Sequence, residues 1–330
     1  MSYNKQKEAY GKGLFKMMIE EHVRDDHPYR KLLELVDWKK IARYFRKRWS
    51  PVGRNGYLPR VVVKIFFLQF YEDLSDRQME NYLKDNLAAK YFCEFDLKDA
   101  TPDHSTIARI RERIGLELLK KLVDMINDEL REHGVIKDTF TFVDSSALRS
   151  RIDTWKARDR VVEKELNNKT VGEDTRDPDA RFGCKGKNKV WLGYKKHVAV
   201  CMSSRMITRI DCTPANVADV KVVEQLVTRP TVVFGDKGYC SEEVERRLEE
   251  RGCKRDNMRA KDKEVDRWRT RLRMPYESIF TQLPKVTRWV GLQKNRFICI
   301  AYAFTYNIKR LVKLGVEVLK IFSSYPACQG

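Results

Sequence analysis

The chain has 330 residues, which is enough for one large domain or two ordinary ones. Hydrophobic residues make up 42% of it, so a real core can form and wholesale disorder is disfavoured. The net charge of +19 indicates a polyanionic partner, with nucleic acid as the first candidate and a merely basic, ribosomal-type protein as the alternative. The eight cysteines include no C-x-x-C pair, which fits reduced thiols better than a disulfide framework or a zinc knuckle. Apolar runs are too short to span a bilayer, so we expect a soluble intracellular protein without membrane contact.

The first part of the chain is predicted to be helical. An early polar helix has an apolar face made of Trp38, Ile41, Tyr44 and Phe45. The strongly apolar run after Pro59 predicts a buried helix, because proline suits a first helical turn. Ser75 is a typical N-cap for the next helix, and Asp103 or Ser105 starts a third helix that Gly115 closes.

This third helix separates charge from apolar residues. Arg109 and Arg113 lie four residues apart on one face, and isoleucines at 107, 110 and 114 form the other face. A short helix with arginines outward suits contact with DNA. A solvated face on a small helical bundle explains the same pattern equally well.

An extended pattern begins at Thr139 and predicts a strand that ends at Asp144. The highly charged segment 151–189 lacks apolar periodicity and predicts a long, mobile, basic loop. Two strands at 190–200 and 204–213 are then expected to form a hairpin. Asp219 is expected to cap the helix that follows the hairpin.

A second acid follows another short buried strand, in the sequence T-V-V-F-G-D-K-G-Y-C at 231–240. Ligands gather at the carboxyl ends of strands in open α/β sheets, so Asp236 is a candidate for chemistry, although it could simply cap a turn. Tyr239 is a candidate for stacking on a base, with core packing favoured at least as much. For His197, a contact within the fold is favoured over a contact with phosphate.

A third acid, Glu277, lies on a helix that begins at Pro275, and it faces away from Ile279 and Leu283. Mg²⁺ takes oxygen ligands, and two ions about 3.5–4 Å apart can promote in-line displacement at phosphorus. A basic protein with three such acids is therefore suited to cutting or joining phosphodiesters. Glu264 is a weaker candidate for the third acid, since its charged segment has no helical caps.

Several sequence blocks, taken in order, resemble one known family. They are L-Q-F-Y-E-D-L-S-D-R-Q-M-E, T-P-D-H-S-T-I-A-R-I-R-E-R-I-G, V-D-S-S, G-Y-K-K-H, T-P-A-N-V-A-D, G-D-K-G-Y and A-Y-A-F-T-Y-N-I-K-R-L. Together they resemble insertion-sequence transposases of the DDE type, specifically insertion-sequence family five. The resemblance covers the chain from about Val52 to Leu314.

The resemblance implies a mixed α/β fold, in which a ribonuclease-H-like catalytic core has a central mixed sheet flanked by helices. This core would occupy residues 136–330, with the basic loop at 151–189, behind an all-helical DNA-binding domain at 1–135. The implied catalytic and metal-binding triad is Asp144, Asp236 and Glu277. The implied cofactor is Mg²⁺, with Mn²⁺ as an expected substitute.

The implied function is that of a transposase, which binds the terminal inverted repeats of its element, cleaves a strand and joins the freed 3′-hydroxyl to target DNA. Its partners would be double-stranded DNA and a second copy of the chain when two ends are paired, in the cytoplasm of a prokaryotic cell at the nucleoid. The alternatives are a catalytically inactive DNA-binding repressor and a simple metal-dependent nuclease.

Basic residues near the triad or on the arginine helix are expected to contact phosphates. They are Arg109, Arg113, Lys195, Lys237, Arg273 and Lys285, and for each the alternative is a solvated surface charge. Around Glu277 the sequence keeps the family's spacing of arginine and glutamate. It departs from the family pattern in having Thr270 at the tyrosine position and Pro284 at the lysine position, with Lys285 one residue later.

Overall fold

The structure is a computed structural model of the 330-residue chain. It describes residues 19–46, 56–151, 168–169, 171, 175–185, 189–235, 239, 241–255, 275–276 and 278–314. Within these ranges the chain forms two compact units, one of residues up to 122 together with 308–314, and one of residues 123–307. No helix in the described ranges is long and apolar enough to cross a membrane.

The first part of the described chain is helical, and the later part contains the strands together with three more helices. In chain order the helices are α1 (Pro28–Leu35), α2 (Trp38–Arg46), α3 (Pro59–Tyr71), α4 (Asp76–Asp85), α5 (Leu87–Cys93), α6 (His104–Glu132), α7 (Val223–Leu226), α8 (Glu242–Glu250) and α9 (Leu292–Leu314). The strands are β1 (Phe140–Ser150), β2 (Arg181–Lys185), β3 (Lys189–Cys201), β4 (Ile207–Pro214), β5 (Val232–Gly235), β6 (Lys254–Arg255) and β7 (Val286–Thr287).

The helical unit is built around α3, in which every residue from 61 to 70 is buried. Pro59 occupies its first turn, as its fixed φ favours. Ser75 caps α4 through a capping box, in which its hydroxyl accepts from the Gln78 amide and the Gln78 side chain accepts from the Ser75 amide at 2.9 Å. Both sequence predictions for this region are confirmed. Tyr44 departs from the predicted apolar face, since it is exposed whereas its three companions are buried.

The predicted arginine helix forms the start of α6. Its isoleucines at 107, 110 and 114 are buried, while Arg109 and Arg113 are exposed. Gly115 has a φ of 68°, and this non-helical backbone separates the arginine segment from the rest of α6. Arg111, from the half-buried side of the segment, holds α4 through two bonds to the Asp76 carboxylate, at 2.5 and 2.9 Å.

The sheet unit contains one mixed sheet. Across it the order is β4, β3, β1, β5 and β6, in which β4, β3 and β1 are antiparallel neighbours and β5 and β6 run parallel to β1. The hairpin of β3 and β4 confirms the sequence prediction. β2 extends the β3 ladder beyond the end of β4, and the short β7 pairs with the last residues of β1.

The two faces of the sheet pack against different helices. On one face Phe142 and Val198 pack against Tyr276, Ile279 and α9. On the other face Val143 and Ala199 pack against α7 and α8. Because side chains alternate along a strand, Asp144 shares the face of Phe142, and Ser145 shares the face of Val143.

One glycine is required by the way the strands meet. Gly193 has a φ of 142° and pairs with Arg149 of β1 and Arg181 of β2. A Cβ atom at this position would lie 2.4 Å from the Leu148 carbonyl oxygen and 2.7 Å from the Ser150 nitrogen. Backbone cannot yield as a flexible side chain can, so only glycine fits at this crossing of three strands.

Three sequence expectations for this unit were wrong. β1 does not end at Asp144 but continues to Ser150, because β3 is long enough to pair with it as far as Arg149. The predicted loop at 151–189 contains β2, which is stabilised by pairing with β3 rather than by any apolar periodicity of its own. Asp219 caps no helix, because its carboxylate binds side chains from β1 and β3.

Candidate active site

Asp144 lies near the middle of β1, at the point where its parallel neighbour stops. Its Oδ1 atom accepts a hydrogen bond from the Ser145 amide at 2.7 Å, and the residue is half-buried. A carboxylate in this position is oriented by its own backbone and still reaches the surface of the sheet. Hard divalent cations favour oxygen donors of this kind.

The strand that leads to Asp236 is held directly beside Asp144. The parallel pairing of β1 with β5 runs from Phe140–Val232 to Val143–Gly235. Each of the last two paired residues is followed in the sequence by an acid, Asp144 in one strand and Asp236 in the other. Asp236 and its neighbour Lys237 lie outside the described residues.

The segment that carries Glu277 packs on the same face as Asp144. The rings of Phe142 and Tyr276 are stacked, with centroids 5.1 Å apart and an interplanar angle of 26°. The Tyr276 hydroxyl donates to the Met202 carbonyl oxygen at 2.7 Å. Glu277, the next residue in the sequence, lies outside the described residues, as do Glu264, Thr270 and Arg273.

A polar cluster lies behind Asp144, on the face of the sheet that Ser145 shares. Asp219 accepts from the Ser145 hydroxyl at 2.9 Å (Oδ2) and from the Lys195 ammonium at 2.6 Å (Oδ1). His197 is fully buried, and its Nε2 atom lies 2.8 Å from the Thr213 hydroxyl. We call Asp219, Lys195, Ser145 and His197 the Asp219 cluster.

The charges in the Asp219 cluster are carried by Asp219 and Lys195. Burial lowers the pKa of His197 to about 4, although the negative charge of Asp219 opposes this shift. The imidazole is therefore neutral near pH 7. Its contact with Thr213 through Nε2 agrees with the expectation that this histidine bonds within the fold. Lys195, a predicted phosphate contact, has a side chain only 15% exposed and is paired with Asp219.

A buried lysine lies on the Asp144 face. Lys196 is 1% exposed, and its ammonium donates to the carbonyl oxygen of Pro284, the second residue after the helical segment at 278–282. Burial lowers the pKa of Lys196 to about 8. Neither Lys196 nor Asp219 is a predicted site residue, since the sequence assigns Asp219 to a helix cap. The available signal for Lys196 was its place in a predicted strand, two positions from Tyr194 and two from Val198 on the same face.

The remaining predicted DNA contacts lie at two places. Arg109 and Arg113 are exposed on α6, where the Arg109 guanidinium also bonds the Ser105 carbonyl and hydroxyl at 3.3 and 3.2 Å. Lys285 is exposed just before β7, and its carbonyl oxygen accepts from the Arg149 amide at 3.0 Å. Lys285 therefore lies beside the far end of β1, beyond Asp144.

Among the described residues, no group of three acidic, histidine or cysteine side chains is arranged to hold a metal ion. Two of the three predicted ligands are outside this part of the chain, so the donor chemistry rests on Asp144. Tyr239, in contrast, is 2% exposed among the apolar residues that pack on α7 and α8. Its predicted core role is confirmed.

Two family models match this chain. A transposase domain (DUF772) matches residues 17–113, and a transposase DDE domain matches residues 135–310, more than half of the sequence. The chain belongs to the DDE transposases. The mixed sheet with helices on both faces is accordingly a ribonuclease-H-like core, and the chemistry of the family is that of a polynucleotidyl transferase. Enzymes of this type generally use divalent metal ions. The models do not specify insertion-sequence family five, which stays a prediction.

One solved structure with some similarity to this transposase is the cryo-EM structure of a piggyBac transposase synaptic complex with hairpin DNA. The similarity covers 93% of this chain and 78% of that chain, with 10% sequence identity and a TM-score of 0.37.

Proposed function

We propose that this transposase binds the terminal inverted repeats of its own insertion sequence and cleaves a DNA strand there, then joins the freed 3′-hydroxyl to target DNA. Asp144, Asp236 and Glu277 would hold two Mg²⁺ ions, which Mn²⁺ could replace. The protein would act as a homodimer when two ends are paired. These three carboxylates suit Mg²⁺, because carboxylate oxygens are the ligands that this ion favours.

One observation carries the proposal for the triad. The residues that precede the three acids in the sequence meet around one strand: Val143 pairs with Gly235, and Tyr276 stacks on Phe142. β1, β5 and the segment around Tyr276 are far apart in the sequence. Their packing contacts do not by themselves require that an acidic residue follows each of them. Their convergence supports a single site that contains Asp144, Asp236 and Glu277.

When bound, the metal ions would supply charge stabilisation for the attacking and leaving oxygens of an in-line displacement at phosphorus. The protein's own residues would perform the positioning. Asp144 is held in orientation by the Ser145 amide, and the pairing of β1 with β5 sets the distance between the two strands that lead to Asp144 and Asp236. Lys196 would hold the chain just after the 278–282 helical segment, through the Pro284 carbonyl.

DNA would be bound through phosphate contacts from both units. We assign Arg109 and Arg113 to the helical unit's contact, since they are the exposed face of a helix whose other face is buried. Lys237, Arg273 and Lys285 are assigned to contacts near the triad. Lys195 is assigned to the same role, although its ammonium is already paired with Asp219.

The test is cleavage of a labelled linear DNA that carries the element's own end, with and without Mg²⁺. We expect the wild-type protein to nick the DNA at the end, and Asp144→Asn, Asp236→Asn and Glu277→Gln to bind the end but not nick it. Full cleavage by any one variant would remove that residue from the triad. A pre-cleaved 3′-end supplied with target DNA then distinguishes two functions, since joined product indicates a transposase and only shortened strands indicate a nuclease.

A further inference from the structure

The Asp219 cluster lies on the opposite face of the sheet from the Asp144 side chain but is linked to it through a single residue. Ser145 is that residue. Its hydroxyl donates to Asp219 at 2.9 Å, and its amide donates to Asp144 Oδ1 at 2.7 Å. The peptide that orients the Asp144 carboxylate is therefore anchored, through the serine side chain, to a carboxylate on the other side of the sheet.

Asp219 is itself held in place. The Lys195 ammonium bonds its Oδ1 atom at 2.6 Å, and the side chains of Lys195 and Asp219 are only 15% and 22% exposed. The neighbouring His197 ring is fully buried, and its Nδ1 atom, which has no hydrogen-bond partner among the described residues, lies 3.9 Å from Asp219 Oδ1. An ion pair that is largely removed from water adds little net stability, because desolvation offsets the attraction. Its clearest structural effect here is to fix the position of Ser145.

We propose that Asp219 is a positioning residue for Asp144, acting through Ser145, and that Lys195 serves mainly to hold Asp219. The proposal rests on the proposed role of Asp144 as a metal ligand. Groups that orient metal ligands typically change metal affinity about 10- to 100-fold when they are removed. Loss of Asp219 should therefore weaken divalent-ion binding at the triad while leaving DNA-end binding in place.

The experiment compares the full-length wild-type protein with Asp219→Asn. Mn²⁺ affinity is measured from the free-ion signal in electron paramagnetic resonance, with an element-end DNA that cannot be cleaved, and cleavage is measured separately over a range of Mn²⁺ concentrations. We expect the variant to need about 10-fold more Mn²⁺ in both measurements, or more. End binding should be close to that of the wild type. The thermal midpoint should fall, because the largely buried Lys195 ammonium loses its partner, so both measurements are made well below it.

Three further variants keep the result interpretable. Ser145→Ala removes the link and should reproduce the loss, whereas Ser145→Thr keeps a hydroxyl and should restore most of the affinity. Lys195→Met combined with Asp219→Asn removes the unpaired positive charge. If this double variant still binds Mn²⁺ weakly, the effect comes from position; if it regains wild-type affinity, the effect is one of charge alone and the proposal is wrong.

Asp124→Asn is the matched control. It makes the same chemical change in the same unit, in an ion pair with Arg209 at 3.1 Å that has no link to Asp144. Its Mn²⁺ affinity should be that of the wild type. Unchanged Mn²⁺ affinity in Asp219→Asn would overturn the positioning role. A normal Mn²⁺ response in Asp144→Asn would show instead that the proposed metal site itself is wrong.

Discussion

Lys196 shows how a single buried lysine can make the stability of the fold depend on pH. Its ammonium donates to the carbonyl oxygen of Pro284, two residues after the helical segment at 278–282, and burial lowers its pKa to about 8. In the unfolded chain a lysine has a pKa of about 10.4. Between these values the unfolded chain carries a proton that the folded chain has lost, so the folded state gains stability as the pH rises through this window.

We therefore predict that the free energy of unfolding of the wild type, relative to Lys196→Met, increases between about pH 8 and about pH 10.4, the window that these two pKa values define. The gain has a ceiling of about 3 kcal/mol, set by the difference in pKa. Urea unfolding of both proteins at the two pH values measures it, with Lys221→Met as a control for the loss of an exposed positive charge. A difference that stays constant with pH would show that folding does not lower the pKa of Lys196.

The individual site residues differ in how far the sequence could predict them. Asp144 was found because an apolar strand leads directly to it, which is a local signal. The role of Asp219 depends on partners 74 and 24 residues away, Ser145 and Lys195, which only the folded sheet brings together. The local sequence pattern predicts that Asp219 caps a helix, but its tertiary contacts with Ser145 and Lys195 determine its position instead.

At the scale of whole elements, the outer edge of β4 is closed by side chains. Asn307 of α9 accepts from the Ile207 amide at 2.8 Å and donates to the Ile207 carbonyl at 2.8 Å. Asn127 of α6 donates to the carbonyl oxygens of Ile207 and Thr208, at 3.3 and 3.1 Å. Both asparagines are buried, so they satisfy backbone groups that an edge strand would otherwise leave open to pairing with another chain.

Asn307→Leu should leave these buried backbone groups without partners and destabilise the sheet unit by about 1–3 kcal/mol. We also expect faster hydrogen exchange at the Ile207 amide and a greater tendency to associate in size-exclusion chromatography. Thr305→Val is the matched control, because it removes a buried hydrogen bond in the same helix whose acceptor is the Ala301 carbonyl of that helix. Equal exchange rates at Ile207 in both variants would contradict an edge-protecting role.

Elements with strong local signals were predicted well from the sequence, and those that depend on pairing were not. Pro59 and Ser75 mark the starts of α3 and α4, and both helices begin where these residues predict. The extension of β1 to Ser150 and the existence of β2 depend on the length of β3, which is a property of a distant segment. The division into domains at residue 135 stays a prediction.

At the scale of the molecule, the net charge of +19 predicts that the proposed binding to DNA weakens as the salt concentration rises. If Arg109 and Arg113 neutralise phosphates, replacing both with alanine should weaken binding to the element's end. The slope of log affinity against log salt should become shallower by about 1 for each phosphate that the variant no longer neutralises. Binding measured from low to moderate salt tests this expectation.

Lys121→Ala is the control for these arginine variants, since it removes an exposed positive charge from a later part of α6. It should lower affinity less and leave the slope nearly unchanged. An unchanged slope in the arginine double variant would place the end-binding surface elsewhere on the protein.

The order of the two units along the chain also determines which unit is completed first during synthesis. Residues 123–307 leave the ribosome as one uninterrupted stretch. The helical unit, in contrast, includes Lys309, whose ammonium donates to the carbonyl oxygen of Tyr71 at 2.7 Å and lies 4.0 Å from the centre of its ring. A nascent chain that has emerged as far as residue 307 has every strand of the described sheet but lacks this lysine. The unit proposed to find DNA is thus completed after the unit proposed to cut it.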